Sequence, residues 1–303
     1  MTATDVSTEK YPVQFEMTFA RLLKRTSFEL ECLGVPNFEQ EAWWILSFAA
    51  GRENAWLAAE LPGPVPVSIG EKVEEIIRQR RFGRPLVYIT GETEFYGLKL
   101  QVGPAVLIPR PETETLVAEV LGTLSQAAGR KPPFSILEIG TGSGCIALAL
   151  LSQLPGARAV ATDISREALG VAKENARGLG LEQKIQFLQG DLLEPIKAQE
   201  RFDLVVSNPP YIDRSEMDSL DPSVRCFEPK LALESPEGGT WFHRQLARQG
   251  AALLRPGGIL AFEVGDRQAG SVARFLKKTG LYEKPRIFPD PFGYERVVLA
   301  RKN

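Results

Sequence analysis

Histidine is almost missing from this 303-residue chain: His243 is the one copy. Imidazole-built zinc centres and Ser-His-Asp or Cys-His chemistry lose their usual basis, and no metal is expected. Cysteine is scarce too. Cys32, Cys145 and Cys226 are odd in number, widely spaced and form no CxxC. That argues against a disulfide scaffold or a zinc ribbon and suits a reducing compartment. No run of about 18 apolar residues occurs, so no membrane span is expected. Residues 1–10 are polar and include Asp5 and Glu9. They lack both the apolar core of a secretory signal and the acid-poor, Arg-rich texture of a transit peptide, so a cytoplasmic location is expected. A basic excess is also missing: 36 Lys+Arg against 38 Asp+Glu leave a net charge of −2. Chains that hold long nucleic acid through its phosphates usually carry such an excess, so that partner is not expected, although a local patch could serve. The remaining balance, 44% hydrophobic and 24% charged, is that of a globular protein. At roughly 100–200 residues per domain, two domains, or one large domain with an appendage, are expected.

The first part, to about Arg84, reads as helical. Phe15, Phe19, Leu22, Leu23 and Leu30 recur near a helical period. Asn37 with Gln40 three residues on resembles a capping box ahead of a helix carrying Trp43, Trp44, Ile45, Leu46 and Phe48, which ends near Gly51. Trp43 and Trp44 are expected in the core and at a domain contact. Pro62, Gly63, Pro64 and Pro66 then break the chain. Ser68 with Glu71 starts another helix through Val73, Ile76 and Ile77. Between 87 and 107 the texture changes, and Phe95-Tyr96-Gly97-Leu98 before Lys99-Leu100-Gln101-Val102 predicts a hairpin. From Phe134 onward strands at 136–139, 159–162, 185–188, 204–207, 259–263 and 297–300 alternate with helices at 145–153, 166–177 and 241–254. Such alternation predicts an α/β domain, a parallel sheet with helices on both faces.

The first of these strands runs into Gly140-Thr141-Gly142-Ser143-Gly144 and then an apolar helix. A strand, a glycine turn and a helix N-terminus let the backbone approach a nucleotide and aim N–H groups at its polar atoms. The dinucleotide pattern GxGxxG would need a third glycine where Cys145 stands, and no Gly-Lys-Ser/Thr follows for a triphosphate loop. Asp163 ends the second strand, where a carboxylate can accept both hydroxyls of a ribose; a helix cap with Ser165 and Glu167 is the bland alternative.

The fourth strand ends in Ser207-Asn208-Pro209-Pro210-Tyr211. Ligands of open α/β sheets bind beyond the carboxyl ends of the strands, which puts Asn208 beside the glycine loop. Two prolines fix their φ angles and remove two donors, leaving outward carbonyls. With the Asn208 side-chain oxygen and a Tyr211 wall, the cluster suits a planar –NH2 group that needs two acceptors in its plane.

On these residues the sequence resembles class I S-adenosylmethionine-dependent methyltransferases with an Asn-Pro-Pro-Tyr motif. Within them it resembles the N5-glutamine methyltransferases of peptide chain release factors, the PrmC/HemK family. The resemblance covers roughly Pro85 to the C-terminus. It rests on Glu94-Phe95-Tyr96-Gly97, Ile108-Pro109-Arg110-Pro111-Glu112-Thr113-Glu114, the glycine loop, Asn208-Pro209-Pro210-Tyr211, Glu228-Pro229 and Pro256-Gly257-Gly258. It implies a Rossmann-like mixed sheet, mostly parallel with an antiparallel last strand. It also implies a helical bundle over 1–86 for substrate recognition, a hairpin linker over 87–109 and the methyltransferase domain over 110–303. The cofactor implied is S-adenosylmethionine, held by Gly140, Thr141, Gly142, Ser143, Gly144, Asp163, Asp191, Leu192 and Asn208. Leu192 stands where some relatives carry an aromatic beside the adenine, so apolar contact replaces stacking there. The substrate implied is the glutamine of the Gly-Gly-Gln loop in class 1 release factors, bound by Asn208, Pro209, Pro210 and Tyr211. A monomer is expected. The stretch 232–239 departs from the family's glycine-rich wording and is given no catalytic role.

The expected chemistry needs no strong base. Asn208 and the Pro209 carbonyl would accept the two amide hydrogens and favour the positive charge that develops on nitrogen, with Tyr211 packed on the side chain. Exocyclic amines of adenine or guanine fit the same acceptors after base flipping, so a nucleic-acid N-methyltransferase is the competing enzyme reading, and a binding module without turnover the non-enzymatic one. Pro111 followed by Glu112, Thr113 and Glu114 suits the first turn of a helix; the alternative is a segment over the cofactor, with Arg110 bonding a nearby carboxylate. Arg78, Arg80, Arg81 and Arg84 suit a helix C-terminus or an acidic partner surface. His243 is expected to be structural.

Overall fold

The computed structural model describes residues 16–126 and 132–303, so Phe15 and residues 1–10 lie outside it. The chain forms two compact units, 1–89 and 90–303. The first holds α1 (Phe19–Cys32), α2 (Phe38–Ala50), α3 (Asn54–Glu60) and α4 (Val67–Arg81), and α5 (Leu86–Thr90) crosses the boundary in the chain. Leu22, Leu30, Ile45, Leu46, Leu57, Val73, Ile76 and Ile77 make its core. Thr18 caps α1 by accepting from Arg21 N–H, and α2 ends at Gly51 with φ of 63°, a left-handed position that glycine takes without cost. Asn37 sits at the N-cap of α2 but its side chain makes no capping bond. The fourth helix starts at Val67 after Pro66 rather than at a Ser68 cap. Trp43 packs against the core while Trp44 is 54% exposed. Neighbours on a helix point about 100° apart, and Ala42, Ile45, Leu46 and Ala49 already take the inward face. All four predicted arginines find partners within this unit: Arg78 on Glu75, Arg80 on Glu41 at 2.5 Å, Arg81 on Glu29, and Arg84 on Gln79.

The second unit opens with a hairpin of β1 (Glu92–Phe95) and β2 (Leu98–Gln101), then α6 (Pro111–Ser125). Phe95 and Leu100 are buried in this unit's core. Asn175 also ties the hairpin down, accepting from Gln101 N–H at 2.6 Å and donating to the Gln101 and Ser143 carbonyls. There follow β3 (Ser135–Ile139), α7 (Cys145–Gln153), β4 (Arg158–Asp163), α8 (Arg166–Gly178), β5 (Ile185–Gln189) and β6 (Phe202–Ser207). Next come the short β7 (Ile212–Asp213), α9 (Pro222–Phe227) and β8 (Glu234–Ser235). The chain closes with α10 (Trp241–Leu253), β9 (Leu254–Glu263), α11 (Ala269–Thr279), β10 (Arg286–Pro289) and β11 (Glu295–Arg301).

The main sheet has the order β10-β11-β9-β6-β3-β4-β5. Its inner pairs are parallel and β11 runs antiparallel to both neighbours, as the resemblance implies. Strand side chains alternate between faces. Ile136, Leu204, Val206, Ile259, Ala261, Val297 and Leu299 pack into one core, and Leu137, Val205, Leu260, Phe262 and Val298 into the other. Both faces are therefore covered, the condition under which a parallel sheet is stable. The predicted strands and helices all form. The strand β10 was not anticipated, because Pro285, Pro289 and Pro291 flank or end it and proline within a run argues against a strand except at a sheet edge.

Candidate functional site

Parallel strands β3, β4 and β6 stop along one rim of the sheet, and a cavity of about 380 Å³ opens there. Gly140, Thr141, Gly142 and Ser143 line it, together with Asp163, Asp191, Leu192, Asn208, Pro209 and Pro210. Gly140 and Gly142 have φ of 69° and 55°, so the loop bends tightly enough to turn its backbone to the cavity. Gly144 does not line it. With φ of 83°, a Cβ there would press on Leu148 and Ala172 at 3.1 and 3.3 Å, so this glycine seats α7 against α8. Cys145 lines the cavity, and burial pushes its thiol up to about 12, which keeps it protonated and no nucleophile.

Asp163 binds the loop as well as facing the cavity. Its two oxygens accept from Gly142 N–H at 2.8 Å and Ser165 N–H at 2.9 Å. Burial raises its carboxyl above the ordinary range, opposed by these backbone bonds. The cap that competed with the ribose reading is made by the Ser165 hydroxyl, which accepts from Ala168 N–H at 3.0 Å. Glu138, inside β3, was not anticipated. One of its oxygens accepts from the Thr141 hydroxyl at 2.5 Å and Ala147 N–H at 3.3 Å; the other is buried with no hydrogen-bond partner among the described residues. Burial raises this carboxyl to about 8. An orphaned acid oxygen on a cavity-lining residue asks for a cation or a donor from a ligand.

At the end of β6, Asn208 donates through Nδ2 to the Thr113 hydroxyl at 3.2 Å, and Thr113 donates to Glu263 at 2.5 Å. Glu263 ends β9, and its second oxygen accepts from the Tyr211 hydroxyl at 3.2 Å. Tyr211 is thus drawn toward a buried acid, and the cavity lining stops at Pro210; Trp241 and Phe242 are the aromatic residues that line it. The Tyr211 backbone is clamped too: its carbonyl accepts from Gln268 Nε2 at 2.8 Å, and Ile212 pairs with Glu234. Gly239, with φ of 76°, packs against that same carbonyl so closely that no Cβ fits. The stretch 232–239 therefore braces the Asn-Pro-Pro-Tyr turn. His243 is buried, donates through Nε2 to the Glu263 carbonyl at 2.8 Å, and is pushed down to about 4 by burial; it stays neutral and structural.

Arg110 does bond a nearby carboxylate. It precedes Pro111 at the start of α6, and it lines the cavity while bonding Glu228 at 2.6 Å. Glu138 and Glu263 drew no site role from the sequence, and Thr113 was read only as part of the 111–114 segment. For the two acids the signal was there: a carboxylate inside an otherwise apolar strand needs a reason.

Two family models match the chain: the PrmC N-terminal domain over residues 21–91 and the methyltransferase small domain over residues 119–221. A release factor glutamine methyltransferase of Moorella thermoacetica is 40% identical over 284 residues, 94% of this chain and 98% of that one. A protein of the same description from Cereibacter sphaeroides is 37% identical over 285 residues, 94% and 99% of the two chains. Among solved structures, the delta-N METTL16 MTase domain is similar with a TM-score of 0.50 at 18% identity, covering 68% of this chain and 89% of that one, a likeness of fold.

Proposed function

Because the chain belongs to the release factor glutamine methyltransferase family, we propose that it methylates the side-chain amide nitrogen of the glutamine in the Gly-Gly-Gln loop of class 1 peptide chain release factors. The methyl donor in this reading is S-adenosylmethionine, which supplies an electrophilic methyl carbon on a sulfonium. The observation that carries the reading is one cavity lined at once by the glycine loop, Asp163 and the acceptors of Asn208 and Pro209.

The residues fit such a cofactor. Glu138 has a buried oxygen with no partner, suited to the ammonium of the methionyl part. Asp163 stands at the end of β4 for the ribose hydroxyls, and Ile164 and Leu192 offer apolar surface for the adenine. Asp191 lines the same rim and is exposed. Asn208 Oδ1 and the Pro209 carbonyl accept the two amide hydrogens of the substrate and aim its nitrogen. Held in line in this way, the amide nitrogen would take the methyl group from a bound S-adenosylmethionine, whose sulfur would keep the electron pair of the broken bond. The surplus proton on nitrogen leaves to water. Positioning of this kind lowers barriers by up to roughly 7–11 kcal/mol, and acceptors aimed at the developing positive charge add to it. Pro210 walls the substrate side chain, and Tyr211 contributes through its hold on Glu263.

The unit at 1–86 serves substrate recognition in this reading, residues 87–109 link it to the methyltransferase domain at 110–303, and the protein works as a cytoplasmic monomer. The test is mass spectrometry of a release factor after incubation with the protein and S-adenosylmethionine. One added methyl on the Gly-Gly-Gln glutamine is expected; an unmodified glutamine, or a methyl elsewhere, overturns the reading.

A further inference from the structure

We propose that Thr113 and Glu263 are positioning residues that fix which end of the Asn208 carboxamide faces the substrate, and so make the site select an amide over a carboxylate. The inference rests on Asn208 acting as the acceptor for the substrate –NH2.

A carboxamide has two ends of nearly equal shape and opposite polarity, so its direction is set by its partners. Here the partners form a chain with one sense. Glu263 is buried at the end of β9, and its carboxyl is raised to about 6 by that burial, with the hydroxyls of Thr113 and Tyr211 and the charge of Arg296 opposing the rise. At neutral pH it is a carboxylate and accepts only. It takes the Thr113 proton on one oxygen at 2.5 Å and the Tyr211 proton on the other at 3.2 Å. A threonine hydroxyl has one hydrogen to give, so the Thr113 oxygen is left as an acceptor. It can receive only the NH2 end of Asn208, at 3.2 Å. With Nδ2 tied to Thr113, Oδ1 is the end left for the cavity that both residues line. The reverse orientation would set two oxygens against each other with no proton between them, in a place where Thr113 is 2% exposed. A buried acceptor pair of that kind is strongly disfavoured.

The polarity carries chemical selection. An acceptor at that point binds a glutamine –NH2 and repels a glutamate oxygen. Without the relay, Asn208 can turn over and offer its own NH2 to a carboxylate. Thr113 and Glu263 lie 150 positions apart in the chain, so the relay also requires α6 and β9 to be packed before the site acquires its direction.

The test compares Thr113→Val, nearly isosteric and without the hydroxyl, with Thr113→Ser, which keeps it. Affinity is measured for two release factors, one with the natural Gly-Gly-Gln and one with glutamate in place of that glutamine. Wild type and Thr113→Ser should prefer glutamine equally. In Thr113→Val the preference should narrow by about tenfold and kcat should fall by about 100-fold, with S-adenosylmethionine affinity little changed and a lower melting midpoint, because a buried Glu263 oxygen loses its donor. If Thr113→Val weakens both release factors in equal proportion, or leaves kcat intact, the positioning role is refuted. If Thr113→Val does not fold, Glu263→Ala is read in the same way: an unchanged glutamine preference refutes the relay, and a narrowed one supports it. Asn208→Ala separates this from the parent reading. Full turnover in that variant removes Asn208 from the mechanism, whereas a dead Asn208→Ala beside a selective, active Thr113→Val refutes only the relay.

Discussion

In the free protein the Glu138 carboxyl is pushed up to about 8 by burial, with the Thr141 and Ala147 bonds opposing and the charge of Asp163 adding to the rise. At neutral pH it therefore carries a proton, and its unpartnered oxygen is the place for it. A ligand ammonium against that oxygen favours the carboxylate and drives the proton off. Binding then releases one proton at any pH below about 8, and affinity must rise with pH until that value is passed. Each unit below the pKa costs about 1.4 kcal/mol, a factor of ten. At pH 8 half of the Glu138 carboxyls are already ionised, so between pH 8 and pH 6 the cost is about 2.3 kcal/mol and S-adenosylmethionine should bind about 50-fold more weakly at pH 6. Glu138→Gln has no proton to lose and should bind with a nearly flat profile, weaker than wild type at pH 8. Titration calorimetry across this range, at constant ionic strength and in buffers of different ionisation enthalpy, reads both the affinity and the proton count. Titration of the ligand's own amine affects both proteins alike, so the ratio of their affinities isolates Glu138. Equal slopes in the two proteins, with no proton released by wild type, would refute the assignment of Glu138 to the ammonium.

Three further outcomes follow from the same site. Asp163→Ala should weaken S-adenosylmethionine by about 10- to 100-fold, as expected for lost hydrogen bonds to a charged group of about 1.5–3 kcal/mol; an unchanged dissociation constant excludes Asp163 from ribose binding. Asn208→Ala should lose turnover by about 100-fold or more while cofactor affinity changes little, and single-turnover methyl transfer checks it. Gly239→Ala should lower the melting midpoint through a loss of about 1–3 kcal/mol and should impair methylation as well, since its Cβ strikes the Tyr211 carbonyl; a variant with wild-type melting and activity shows that 232–239 does not brace the motif.

The sheet was legible because its central strands are apolar on both faces and β3 and β4 are each followed by a helix of clear period. The motif positions Gly140, Asp163 and Asn208 were legible because the strand ends of an open sheet converge on one rim. What stayed hidden has two physical sources. A local pattern can have two causes at once: Pro111, Glu112 and Glu114 begin a helix well enough that the hydroxyl of Thr113 between them drew no attention. Arg78, Arg80, Arg81 and Arg84 likewise read as a basic surface, yet each is matched by a side chain of its own unit, and nothing in their spacing shows it. The second source is distance along the chain. Tyr211 next to two prolines reads as an aromatic wall, but its hydroxyl is directed by Glu263, 52 positions later. Both buried acids, Glu138 and Glu263, break apolar strands at the same rim, and each holds a hydroxyl at 2.5 Å. A charge in such a place destabilises the fold unless it is neutralised or fully bonded. Its retention is explained where a ligand or a bonded side chain needs the acceptor. The costliest residues of the sheet therefore mark the site more sharply than the glycines do, because glycine also has a purely structural use, as Gly144 shows against Leu148 and Ala172.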